Sequence, residues 1–111
     1  MFTKTLALMT AAILAASAMA QGVFVINTPA VARQCIPTAI TWRGGGRSIW
    51  ITSYGETLQS FHVREGVHTF LWQTNVWAGT EIGLTLTDSD GDVAQSSPFT
   101  VQDGPDSCDP L

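Results

Sequence analysis

Beyond the first twenty residues, no stretch of this chain keeps apolar side chains at the helical period of about 3.6 residues for three turns, which argues against a helical core. What recurs instead is short: β-branched and aromatic runs separated by Gly, Pro and Asp. The clearest lies at Glu81 to Thr87, where Ile82, Leu84 and Leu86 share one face and Thr85 and Thr87 the other. Ser48 to Tyr54 alternates in the same way, Ile49 and Ile51 against Trp50 and Tyr54. Further strands are predicted at Val23 to Ile26, Thr38 to Trp42, Leu58 to Val63, Val67 to Thr74 and Ser97 to Val101, the last with Phe99 and Val101 inward. Asn27-Thr28-Pro29 stops the first strand and Gly44-Gly45-Gly46 the second; Arg64-Glu65-Gly66 reads as a hairpin loop with Gly66 in a left-handed conformation. About seven short strands with turn signals between them predict an all-β, antiparallel two-sheet sandwich. A small closed barrel satisfies the same strand count.

The first twenty residues obey a different rule. Lys4 is their one charge, Leu6 to Ala20 is apolar apart from Thr10 and Ser17, and the stretch closes on Ala18-Met19-Ala20. Small residues at those positions are what a signal peptidase reads, so residues 1–20 are expected to be a cleavable signal peptide, cut before Gln21. An N-terminal membrane anchor is the rival reading; a span needs about 20 apolar residues, and this run is shorter. No second apolar segment follows, and the sequence from Ser107 to Leu111 has no hydrophobic tail for a lipid anchor. The expected product is residues 21–111, secreted and without stable membrane insertion, as one domain with a short acidic C-terminal tail. Without Lys4, nine acidic residues face four arginines, a formal charge of −5. That balance argues against nucleic acid and anionic membranes as partners. No Asn-x-Ser/Thr sequon with a permissive middle residue occurs.

A domain of this size has a small core, and export favours a covalent clip. Cys35 and Cys108 flank nearly the whole fold, and a bond between them would stabilise by roughly 4 kcal/mol through loop entropy. Free thiols or a bond to a partner chain are the competing readings.

Asn27-Thr28-Pro29, Gln34-Cys35, Pro37-Thr38, Thr41-Trp42 with Gly44-Gly45, Leu71-Trp72, Ala78-Gly79-Thr80, Asp88 with Gly91, Gln95-Ser96, Pro98-Phe99-Thr100-Val101 and Cys108 form an ordered set of blocks. In that order the chain resembles small secreted proteins of mushroom-forming fungi, themselves distantly similar to the immunoglobulin-like N-terminal domain of the yeast cell-wall synthesis family. The resemblance implies an immunoglobulin-like sandwich associated with fungal walls or secretions, with no catalytic residues to transfer. It also implies that Trp42, Trp72, Ile82, Leu84, Leu86, Phe99 and Val101 form the core. Many relatives continue into Ser/Thr-rich stalks, whereas this sequence stops at Leu111; the expectation is a diffusing or loosely wall-associated protein.

Chemistry-bearing residues are sparse. Asp88, Asp90 and Asp92 alternate and make a weak calcium candidate, but an EF-hand loop needs a Glu at its twelfth position, where Phe99 stands. A hairpin turn with Gly91 at positive φ is the simpler expectation. His62 and His68 could face each other across the Glu65 loop, yet transition-metal sites usually take three or four firm ligands. Glu56, Glu65 and Glu81 could pair for acid–base work, but nothing in the spacing sets two of them around a cleft. No serine sits in a Gly-x-Ser-x-Gly elbow. No catalytic residue or cofactor is therefore expected. Surface contact is the better prospect: where exposed, Trp50, Tyr54 and Trp77 could stack on a sugar ring or anchor a protein, with Arg43 and Arg47 donating hydrogen bonds from around the triple glycine. Alternation alone leaves both faces of Ser48 to Tyr54 open, and if Ile49 and Ile51 point outward Trp50 belongs to the core. The expected function is a non-enzymatic module binding cell-wall glycan or a surface protein. A secreted effector acting on a host protein and a small metal-dependent enzyme are the alternatives.

Overall fold

Where apolar residues alternate with polar ones over the longest runs, in Ser48 to Ser53 and Glu81 to Thr87, the chain forms strands and turns the aliphatic row inward. A computed structural model describes residues 23–111. The leader expected over residues 1–20, with its cut before Gln21, lies outside the described residues. The strands are β1 (Val25–Ile26), β2 (Thr38–Arg43), β3 (Gly46–Ser53), β4 (Glu56–His62), β5 (Thr69–Trp72), β6 (Glu81–Asp88), β7 (Val93–Gln95) and β8 (Phe99–Thr100). No helix occurs among the described residues.

They assemble into two antiparallel sheets, one ordered β1-β2-β5 and the other β4-β3-β6-β7, with β8 pairing a further stretch of β6. This is an immunoglobulin-like sandwich in which the fourth strand lies on the larger sheet. The barrel reading falls, because the two sheets remain separate. Ile40, Trp42 and Trp72 from the smaller sheet meet Ile49, Ile51, Ile82, Leu84 and Leu86 from the larger. Each is at most 3% exposed, and full burial of such a side chain contributes roughly 1.5–3 kcal/mol before its ordering entropy is subtracted. Val101 joins this core; Phe99, expected inward, is only partly buried against its margin.

Three connections depart from the expected pattern. Arg64-Glu65-Gly66 makes a tight turn, with Val67 N–H donating to Arg64 O at 3.1 Å and Gly66 at φ +84°, yet it closes no hairpin. It carries the chain from β4 in one sheet to β5 in the other, and the partly buried Val63 and Val67 seat it on the core. The triple glycine is likewise not a three-residue loop. Gly44 and Gly45 make the crossing, while Gly46 already belongs to β3 and is buried against the Leu86 side chain. The third departure is at the end of the large sheet, where the single strand expected over Ser97 to Val101 is β8 alone, and β7 precedes it on the same neighbour, β6.

Cys35 and Cys108 are disulfide-bonded, their Cα atoms 5.4 Å apart and 73 residues apart in sequence. Around the bond the tail is tied down by polar contacts. Gln34, 5% exposed, donates from Nε2 to Pro105 O at 2.9 Å and accepts at Oε1 from Ala78 N–H at 2.6 Å. Arg33 and Gln102 form a parallel bridge, and Gln102 N–H donates to Ala32 O at 2.7 Å. Gly104 lies so close to the Gln34 backbone that a Cβ there would overlap its carbonyl.

Candidate binding surface

Because Ile49 and Ile51 are completely buried, the residue between them must face solvent. Trp50 therefore stands on the outer face of the larger sheet, 37% exposed. Strand pairing fixes its neighbours. Ser60 on β4 and Thr85 on β6 lie directly across from it, and Gln95 on β7 extends the row. The adjacent row is His62, Ser48, Thr87 and Val93. On the other side Thr52 pairs with Gly83, and the Thr52 hydroxyl donates to the Gly83 carbonyl at 3.1 Å. These rows hold hydroxyls, one amide, one imidazole, one indole and the exposed aliphatic Val93, with no Asp, Glu, Lys or Arg among them. Ser48 Oγ and His62 Nδ1 share a hydrogen bond of 3.1 Å. A shallow notch of about 30 Å³ opens between Ser48, Trp50, Ser60, Phe61 and His62.

Tyr54 does not share this face. It sits in the two-residue turn between β3 and β4, at φ +48° and followed by Gly55 at φ +83°. Two positive φ values in a row are what a type I′ hairpin turn requires, and they take the chain out of the pleat that would have placed Tyr54 above Trp50. Its side chain is 85% exposed. Together with Ser53, Glu56, Leu58, Val76, Thr80 and Leu111 it lines an open cleft of about 470 Å³ at one end of the sandwich. Trp77, 52% exposed, lies in the loop between β5 and β6 that borders the same end. The three aromatic candidates are thus all exposed, but they occupy two places: Trp50 in mid-sheet, Tyr54 and the Trp77 loop at an end.

The remaining candidates are dispersed. Arg43 ends β2 on the smaller sheet, and Arg47 is the bulged residue at the start of β3 on the larger, so the two arginines lie on either side of the crossing. His62 ends β4, whereas the backbone carbonyl of His68 accepts from Trp42 N–H at 3.1 Å, on the smaller sheet; the two imidazoles are not cross-strand neighbours. Asp88 Oδ1 accepts from Asp90 N–H at 2.9 Å and from Asp92 N–H at 2.8 Å, and Gly91 is at φ +88°. One oxygen of the first carboxylate is therefore committed to closing the β6–β7 turn. Among the described residues no three His, Cys, Asp or Glu side chains group as metal ligands. No helix among them is long and apolar enough to cross a membrane.

What sequence reasoning missed is the set of hydroxyls around Trp50. Thr85 and Thr87 were legible as an outward pair, but Ser48, Ser60 and Thr52 join them only through strand register. Register shifts at Gly46/Ser48 and at Ile51/Thr52, which no composition rule locates.

No protein-family model matches the chain, and no curated protein matches it. Among solved structures it is similar to the fibronectin(III)-like modules of Clostridium thermocellum CbhA. The likeness has 18% sequence identity and a TM-score of 0.46, covering 75% of this chain and 100% of that one. A similarity that distant bears on neither ligand nor activity.

Proposed function

We propose that this protein is a secreted, non-enzymatic binding module that acts by surface contact with an extracellular glycan or a cell-surface protein. The observation that carries the reading is Trp50, an exposed indole on the outer face of the larger sheet whose neighbouring rows carry no charged side chain. A large aromatic left on the outside of a sandwich costs apolar exposure without contributing to the core, and at binding surfaces such residues supply contact area at low conformational cost. Secretion is supported by the Cys35–Cys108 bond, since such bonds persist in oxidising compartments. The resemblance to secreted fungal proteins makes wall material the first place to look.

The test is binding of fluorescently labelled protein to isolated cell walls, before and after digestion of the walls with protease or with glucanase and chitinase. Binding that survives protease and is lost with the glycanases identifies a glycan, and the converse identifies a surface protein. Absence of saturable binding to untreated walls would count against the module reading as a whole.

A further inference from the structure

We infer that the outer face of the β4-β3-β6-β7 sheet binds a neutral polysaccharide, with Trp50 as the platform on which a sugar ring stacks. The inference rests on the binding-module reading and assigns to it a ligand class and a site.

Charge speaks first. The chain has nine acidic and five basic residues, yet none stands in the rows that surround Trp50. Acidic polysaccharide, nucleic acid or a charged protein patch would find no counter-charge there, and matching opposite charge is what such partners select. A neutral ligand gives up nothing on this face.

The polar groups narrow the class further. Ser60 and Thr85 flank Trp50 on neighbouring strands about 4.8 Å away, close enough to reach the hydroxyls of a hexose lying over the indole. Serine and threonine hydroxyls both donate and accept, as sugar hydroxyls do, so the two sets can pair in either sense. The notch beside Trp50, bounded by Ser48, Ser60 and His62, has room for a group the size of a water molecule. A ring hydroxyl entering it would replace a water with a group of similar size and hydrogen-bonding capacity. Gly83, without a side chain, leaves the surface low next to Thr52.

A protein partner fits less well. The centre of a protein interface is usually built from several large anchors packed together. Here one indole has hydroxyl side chains as its direct cross-strand neighbours, and the remaining apolar group in these rows, Val93, lies on the edge strand β7. Tyr54 and Trp77 cannot add to the platform, because the turn and loop that carry them lie at one end of the sandwich.

The experiment compares the wild-type protein with Trp50→Ala, Trp50→Phe, Tyr54→Ala and Trp77→Ala. Depletion is measured on insoluble chitin, β-1,3-glucan and cellulose, with cross-linked polygalacturonate as the acidic control. Thermal melts confirm that each variant is folded, which the surface position of Trp50 makes attainable. The expected result is retention of the wild type on at least one neutral polymer and not on the acidic one. Affinity should change less than twofold between 50 and 500 mM NaCl. Trp50→Ala should weaken it at least tenfold, Trp50→Phe should recover part of the loss, and the other two variants should stay within twofold of wild type. If Tyr54→Ala or Trp77→Ala abolishes retention while Trp50→Ala does not, the glycan-binding module stands and the site is misassigned. Failure of every neutral polymer to retain the wild type overturns this proposal; the module reading would then rest on the protease-sensitive arm of the wall experiment. Preferential retention on polygalacturonate, or a steep salt dependence, overturns the neutral class.

Discussion

Two tryptophans share the core and differ by one hydrogen bond. Trp72 donates from Nε1 to Gln59 Oε1 at 2.8 Å, linking the edge strands of the two sheets, while the buried Trp42 Nε1 has no partner among the described residues. Replacement by phenylalanine removes similar volume from both sites, but only at Trp72 does it break a bond and leave the Gln59 amide unanswered. Trp72→Phe should therefore cost about 1 kcal/mol more than Trp42→Phe in urea unfolding, and equal costs would show that Trp42 Nε1 is satisfied in solution. Gln34 offers a larger effect. Its amide holds both the Ala78 loop and the tail at Pro105, so Gln34→Ala should lower stability by about 2–3 kcal/mol in the same measurement. Nothing in the local sequence marked Gln34 as a bridge; its two partners stand 71 and 44 residues away.

At the scale of elements, strands with a long alternating run were legible and short ones were not. β6 declares its inner face through Ile82, Leu84 and Leu86, β3 sets Ile49 and Ile51 apart from Trp50 without saying which row is inner, and the structure buries all five aliphatic residues. β7 has only Val93, Ala94 and Gln95, too few residues for a period to show, and it exists because β6 offers it an edge. The Arg64–Gly66 turn was legible as a turn but not as a crossing, since the same residues serve both and only the sheet on the far side decides. Hence the alternation that separates Trp50 from Ile49 and Ile51 could be read from β3 alone, whereas which row faces out was decided by the opposing sheet and the hydroxyl rows beside Trp50 needed three strands in register. The β3–β4 hairpin yields its own prediction. Tyr54 occupies the first central position of a two-residue turn that favours asparagine before glycine. Tyr54→Asn should raise stability by about 0.5–1 kcal/mol, read as a higher melting temperature, and a fall would mean that the ring packs against the neighbouring Leu58 or Leu111 after all.

The whole molecule is held by the clip between Cys35 and Cys108 as well as by its core. Replacing both cysteines by serine should lower stability by roughly 4 kcal/mol, the loop-entropy value for a closure of 73 residues, with native-state strain subtracting from it. Hydrogen exchange should then show the first loss of protection at the Gln102 and Gln34 amides, which donate to Ala32 O and Gln102 O where the tail joins the strand-free segment after β1. The same long separation governs how the protein is made. At roughly 5–20 residues per second, the ribosome needs about 4–15 s to reach Cys108 after Cys35. Throughout that interval Cys35 is a lone thiol with no intramolecular mate, because the chain has only 2 cysteines. Scrambling within one molecule is thus impossible, and the one mispairing open to a nascent chain is with another molecule.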